Sequence, residues 1–155
     1  VCYPTTPETY LGYQRGKFAN GHLETNHSHK YKLPKPQRDL PALEGEWIVK
    51  GQYVESAGGK LHLPYMAGSV NIVIEGSREV VDEKMKMVVT RDGEPVPHME
   101  AGDDISFDGN ESVVYLDEPR MYRLILSNKH HEGTLILDVP KGIRLFAFTF
   151  GGSCD

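Results

Sequence analysis

Seven histidines, His22, His27, His29, His62, His98, His130 and His131, are the first residues in this chain whose type and spacing could do chemistry. On a strand, His27-x-His29 would aim both rings the same way, a geometry that suits a transition metal. The third ligand is not close behind: Lys30-Tyr31-Lys32-Leu33-Pro34 follows, with no acid before Asp39. That composition is loop-like, so the pair is expected to be solvated. His130-His131 falls within Ser127 to Gly133, a polar stretch expected to be a hairpin loop. None of the serines lies in Gly-x-Ser-x-Gly, the strained elbow of a hydrolase. Ala57-Gly58-Gly59-Lys60 lacks the first glycine and the final Ser or Thr of a phosphate loop. Carboxylates cluster at Asp103-Asp104, Asp108, Glu111 and Asp117-Glu118. A glycosidase needs two such acids about 5–10 Å apart, a separation that spacing alone does not supply. The same acidic stretch does not match a calcium-binding helix–loop–helix.

Aromatic side chains are the remaining chemical resource. Trp47, Tyr53, Tyr65, Tyr115 and Tyr122 are candidate ligand-binding rings, because a flat ring stacks on the C–H face of a sugar. Asn71, Asp92 and Arg120 are the candidate polar partners for hydroxyl groups. Each has a purely structural reading beside the functional one. A single Trp near a strand start is a core residue in most domains. Tyr122, between Met121 and Arg123, is expected half-buried with its hydroxyl bonded.

Composition excludes several classes of partner. The 155 residues fit one domain, and folding at that length buries about 70% of the unfolded chain's surface. The formal charge is −5 and the basic residues are scattered. The best cluster, Lys30, Lys32, Lys35 and Arg38, is broken by two prolines, so no nucleic-acid surface is expected. No apolar run reaches the roughly 18 residues of a membrane helix, and no membrane insertion is expected. Neither a signal peptide nor a cofactor-binding motif is visible. A start at Val1 suggests a processed or excised piece. The two cysteines, Cys2 and Cys154, stand at opposite ends and form no Cys-x-x-Cys. Bridged, they would close nearly the whole chain, for about 5 kcal/mol by the chain-entropy account. Unbridged, they would be exposed thiols on frayed ends.

The elements that must position these residues are strands. Residues 1–41 are polar and proline-containing and are expected to form an extended arm. Tyr10, Leu11, Tyr13 and Phe18 would staple it to a body spanning 42–155, with a short helical turn near Gly12 to Ala19. In the body, strands are expected at Trp47–Glu55, Leu61–Tyr65, Ser69–Glu75, Met85–Arg91, Ser112–Leu116, Met121–Ser127, Gly133–Val139 and Arg144–Phe150. Leu135, Leu137 and Val139 share one face. Phe146, Phe148 and Phe150 share a face opposite Leu145, Ala147 and Thr149. Asp92-Gly93 signals a turn, and Pro95-Val96-Pro97 belongs at a sheet edge. Eight or so such strands predict an all-β fold, a two-sheet antiparallel β-sandwich with an N-terminal arm.

Two phrases carry a resemblance. Thr6-Pro-Glu-Thr-Tyr-Leu-Gly-Tyr13 opens the chain and Ala147-Phe-Thr-Phe-Gly151 closes it. Between them stand Leu43-x-Gly45-x-Trp47, Val70-Asn-Ile-Val-Ile74, Asp92-Gly93 and Arg120-Met-Tyr-Arg-Leu124. In this order they resemble the C-terminal domain, carbohydrate-binding-module-like, of DipZ-type cytochrome c biogenesis proteins and of soluble thioredoxin-like (redoxin) relatives. The resemblance implies a jelly roll, an extracytoplasmic location, and a non-catalytic accessory domain. The redox chemistry would lie in a thioredoxin-like domain, in cis or in trans. The module would recognise a glycan or a cell-envelope component. An alternative is a structural domain that orients or dimerises the redox domain, with Tyr10, Tyr13 and Phe18 packing on the neighbour as well as on the sandwich. A third reading is a metal-dependent enzyme using His27, His29 and a distant acid.

Overall fold

The computed structural model describes residues 2–76 and 85–152. Among the described residues the fold comprises eleven strands and one short 3-10 turn. The strands are β1 (Thr9–Tyr10), β2 (Ser28–Tyr31), β3 (Ala42–Val49), β4 (Val54–Ser56), β5 (Lys60–Gly76), β6 (Met85–Arg91), β7 (Glu94–Pro95), β8 (Ser106–Asp108), β9 (Glu111–Leu116), β10 (Arg120–Asp138) and β11 (Ile143–Gly151). The 3-10 turn, His98–Glu100, follows Pro97. Every pairing between named strands is antiparallel. The chain is therefore all-β, as its alternating pattern predicts.

Two strands are much longer than the sequence suggests. The predicted pair Leu61–Tyr65 and Ser69–Glu75 is one 17-residue strand, β5. The predicted pair Met121–Ser127 and Gly133–Val139 is one 19-residue strand, β10. Both are irregular at the same level. In β5 the buried positions are Leu61, Leu63, Tyr65 and Ala67, then Val70, Ile72 and Ile74. The phase of the alternation switches at Gly68, itself buried. In β10 the register jumps there, from Leu126 opposite Ser69 to His131 opposite Ala67. The extra residues of β10 fall at this point, and both strands change their inward face across it while the pairing continues on either side.

Conversely, the predicted strand Trp47–Glu55 is two, β3 and β4, joined by a turn in which Lys50 N donates to Tyr53 O at 2.8 Å. The predicted face of the closing phrase is also altered. A bulge between Leu145 and Ala147 places both Leu145 and Phe148 inward, while Phe146 and Phe150 are only half-buried. A strict alternation would have set Leu145 and Phe148 on opposite faces.

The pairings form a circuit. The first half of β5 pairs with β3, and its second half with β11. Strand β11 also pairs with β4, and β4 pairs with β3. Arg144 marks one join: it stands opposite Glu55 on one side and Glu75 on the other, and its Nε lies 2.9 Å from Glu55 Oε1. Inside the sheet, Trp47, Tyr65, Tyr122 and Phe148 are among the largest fully buried side chains. Trp47 Nε1 donates to Glu44 O at 3.0 Å. No buried side-chain nitrogen or oxygen among the described residues lacks a partner.

The first 41 residues contribute two strands to this sheet. Leu11 and Phe18 are buried, Tyr10 is half-buried and Tyr13 is exposed. Phe18 is thus spent on its own body and is not available to a neighbouring domain. The expected helical turn is a single one, closed by Gly16 N donating to Gly12 O at 2.7 Å. The segment expected to be a loop around His29 is strand β2, paired with β3 from Ser28 opposite Ile48 to Tyr31 opposite Gly45. Thr6 ties the arm to the middle of β5: its hydroxyl lies 2.6 Å from Asp39 Oδ1 and accepts Met66 N–H at 2.8 Å.

Candidate functional site

Of the eight candidate ligand-binding residues, Tyr65 and Asp92 meet at one cleft. Asp92 opens the turn between β6 and β7. Its φ is 55° and that of Gly93 is 80°, the left-handed pair that a two-residue hairpin requires. Asp92 Oδ1 accepts Thr134 N–H at 2.8 Å, fixing this turn against β10. Tyr65 comes from the first half of β5, opposite Gly133. The cleft of about 410 Å³ lies between them and the arm, where Pro36, Arg38 and Glu132 complete its walls. Arg38 Nη2 and Glu132 Oε1 pair across it at 2.8 Å, both well exposed.

Gly133 shapes the floor. A Cβ there would stand 3.1 Å from Arg91 Cδ and 3.4 Å from Tyr65 Cε1. The absent side chain leaves the Tyr65 ring and the Arg91 stem close beneath the cleft. Under that floor runs a polar network that spacing could not reveal. Tyr65 Oη lies 2.7 Å from His131 Nε2, and Arg91 Nη1 donates to the same nitrogen at 3.2 Å. The other ring nitrogen, Nδ1, lies 3.1 Å from Lys129 O. A carbonyl only accepts, so Nδ1 carries the proton in the neutral ring and Nε2 is the acceptor. Its Nε2 lone pair thus faces two donors, Tyr65 Oη–H and Arg91 Nη1–H. Arg91 reaches past it to Glu100 through two bonds of 3.2 and 2.9 Å. Those bonds hold the Glu100 carboxyl below its usual range. Burial pushes the Tyr65 phenol up to about 12, so it remains a neutral hydroxyl.

Arg120 and Tyr122 form a separate knot. Arg120 Nη2 donates to Asp104 Oδ1 at 3.0 Å and its Nε to Asp117 Oδ1 at 3.3 Å, while the guanidinium lies 3.9 Å from the centre of the Tyr122 ring. The Tyr122 hydroxyl lies 2.8 Å from Asp117 Oδ1 and 2.7 Å from Glu118 O. Asp104 Oδ2 also accepts Arg123 N–H at 2.7 Å. Two turns and the start of β10 are thereby fastened together. The Tyr122 hydroxyl and, after it, the Glu118 N–H hold the Asp117 carboxyl down at about 2. A depressed carboxylate stabilises the fold above its unfolded pKa and loses that contribution as pH falls through the folded value. Between about pH 4 and about 2, wild type is expected to keep Asp117 ionised. Tyr122→Phe should raise the Asp117 midpoint and move acid unfolding to higher pH. Carboxyl NMR titration of both proteins checks this; an unchanged midpoint would reject the assignment.

The other four candidates stand apart. Trp47 has no exposed surface on which a sugar ring could stack. Tyr53 lies against Phe146, with ring centres 5.1 Å apart, and Arg144 lies 4.9 Å from its ring centre. Asn71, half-buried on β5, points Nδ2 at Thr149 Oγ1, 3.4 Å away. Tyr115 is an exposed residue of β9 opposite Lys86.

The histidines do not assemble a metal centre: the described residues contain no group of three or more His, Cys, Asp or Glu able to hold an ion. His22 and His27 instead face Glu24, at 3.5 and 3.9 Å. Among the described residues no helix is long and apolar enough to cross a membrane. Cys2 is disulfide-bonded, while Cys154, its candidate partner by sequence, lies outside the described residues.

No curated protein matches the chain significantly. Residues 6–151 match the family described as the thioredoxin-like C-terminal domain. That span runs from the Thr6 that anchors the arm to the Gly151 that ends β11. The chain belongs to the thioredoxin-like C-terminal domain family and is the accessory, C-terminal domain of a thioredoxin-like protein.

Proposed function

We propose that this chain is a non-catalytic binding module of a thiol–disulfide protein, holding a polyhydroxylated ligand, a glycan or cell-envelope component, in the cleft between arm and body. The observation that carries this reading is the convergence of Tyr65 and Asp92 with Arg38, Glu132 and Thr134 around one open cleft of about 410 Å³. Its polar groups come from both the arm and the body, and the Tyr65 ring lies enclosed beneath Gly133. That convergence of donors and acceptors suits hydroxyl-rich ligands, which need many hydrogen-bonding partners. The layering that goes with this reading is a two-sheet jelly roll folded at the Gly68 corner, with β5 and β10 shared by both layers. The electron chemistry belongs to a partner thioredoxin-like domain, because this sequence has only Cys2 and Cys154 and no Cys-x-x-Cys. The bonded state of Cys2 supports a location outside the cytoplasm.

Calorimetric titration with a panel of oligosaccharides and cell-wall fragments tests this reading. At least one member is expected to bind. Arg38→Ala should weaken it about tenfold while leaving thermal stability nearly unchanged, because an exposed ion pair is worth about 0–1 kcal/mol. Trp47 fluorescence is a poor readout here, since the ring is enclosed. No heat across the panel, or a ligand indifferent to Arg38→Ala, would sink the assignment.

A structural role toward the redox domain is favoured by one observation. Met99 and Leu126 are 96% and 60% exposed, and both belong to segments beside the β10 corner. Sedimentation of this chain mixed with a thioredoxin-like domain, with and without Leu126→Asp, separates that role from ligand binding.

A further inference from the structure

The opening phrase contains more charge than its folding role uses. Thr6, Thr9 and Leu11 are buried; the Thr6 and Leu11 N–H groups donate to Met66 O and Phe146 O, and Thr9 stands opposite Phe148 of β11. Glu8 and Arg15 are exposed, and Tyr10 is half-buried. Arg15 is the one arginine among the described residues without an ion pair. Arg38, Arg91, Arg120, Arg123 and Arg144 each face a carboxylate. The Arg15 guanidinium lies instead over the Tyr10 ring, 3.7 Å from its centre. Stacked there, it keeps its edge of N–H donors free for a planar anion. Glu8 forms no ion pair either, so the two opposite charges do not meet although both line the same cleft.

That cleft has a volume of about 190 Å³, room for about six waters at ~30 Å³ each. It is the size of one amino-acid residue and too small for an oligosaccharide. Its floor is apolar, made by Tyr10, Val73, Phe146 and Ala147. One wall is fixed by the close contact of the turn at Gly12 with the backbone of Gly51 and Gln52. Two charges of opposite sign, held apart over an apolar floor of this size, are complementary to a small molecule bearing both charges and an apolar group.

We propose that this cleft is a second binding site, for a zwitterion of the amino-acid or dipeptide class. The ligand's carboxylate engages the edge of Arg15, its ammonium engages Glu8, and its side chain lies against Tyr10, Val73 and Phe146. The site is independent of the arm–body cleft and uses none of its residues, so each can fail without the other.

The experiment is amide NMR of the whole chain titrated with leucine, glycyl-leucine, N-acetyl-glycyl-leucine and glycyl-leucinamide. Saturable shifts are expected at Gly12, Gly51, Gln52 and Ala147, with a Kd of about 1 mM, or −4 kcal/mol. Capping either end should weaken binding about tenfold. Arg15→Gln should weaken the uncapped ligands about tenfold and leave the amidated one unchanged. Glu8→Gln should do the same for the amine, leaving the N-acetylated one unchanged. Leucine and glycyl-leucine compared directly decide which length fits. Both variants are at exposed positions, so a folded amide spectrum is expected for each. The proposal is overturned by no saturable shift up to about 50 mM, well above that Kd. Shifts confined to other parts of the molecule, or binding that ignores both caps, would overturn it equally.

Discussion

Trp47→Ala is expected to cost about 3–5 kcal/mol, the range for removing a large buried aromatic side chain. The ring has no exposed surface. Its N–H is satisfied by Glu44 O at 3.0 Å. Gly59 presses so closely that a Cβ there would fall 2.0 Å from Nε1. Set against a net stability of about 5–15 kcal/mol for a domain, the variant should be marginal at 37 °C. Urea denaturation followed by circular dichroism measures the effect, and in wild type the single Trp gives a parallel fluorescence signal. Trp47→Phe, which keeps a ring, should lose much less. A cost below about 1 kcal/mol for Trp47→Ala would contradict the enclosed position, since buried aromatic truncations do not come that cheaply.

Gly12→Ala is the second large effect, with an expected loss of about 2–6 kcal/mol. A Cβ on Gly12 would lie 2.2 Å from Gly51 O and 2.4 Å from Gln52 Cα. Both obstacles are backbone, so no rotamer change relieves the contact. The turn must lift away from the β3–β4 connection. It then gives up the bonds Tyr13 N to Lys50 O at 2.9 Å and Gln14 N to Gly51 O at 3.0 Å. Overpacking costs about 1–3 kcal/mol, and each hydrogen bond adds about 0.5–1.5 kcal/mol. Gly68→Ala is the control. Its added Cβ meets Gly151 O and Ser127 O at an ordinary 3.5 Å, and a change within about 1 kcal/mol is expected. Hydrogen exchange at Tyr13 and Gln14 locates the damage. Native protection there in Gly12→Ala would show that the turn had not moved.

Strand β6 was legible as far as its end at Arg91, because Asp92-Gly93 punctuates that end and a simple alternation runs through the strand. The all-β class followed from the same local signals. The lengths of β5 and β10 were not legible. A phase change at Gly68 looks, in one dimension, like the end of one strand and the start of another; only the partner strand's extra residues show that the ladder continues. Strand β2 was missed because its residues Ser28–Lys30 are exposed and carry no inward face to betray them. In the candidate site, aromatic type and turn chemistry were enough to flag Tyr65 and Asp92. The residues that complete their surroundings, Arg38, Arg91, Glu100, His131 and Gly133, come from segments far apart in the chain. No spacing rule joins them. Arg120 and Tyr122 were flagged for their chemistry, and that chemistry is taken up by Asp104, Asp117 and Glu118. A side chain's type does not reveal whether the fold has already supplied its partners.

The pairing of β5 with β10 joins Lys60 to Asp138 and Ile74 to Arg120. Such a ladder gives no reward until a long intervening stretch of chain has been brought round, at an entropic cost that local turns do not recover. The domain therefore has a high contact order and should fold in about milliseconds to seconds, orders of magnitude slower than a helical bundle of equal size. During that interval the apolar faces of both long strands are uncovered. Nascent chains of this domain are the form most exposed to aggregation.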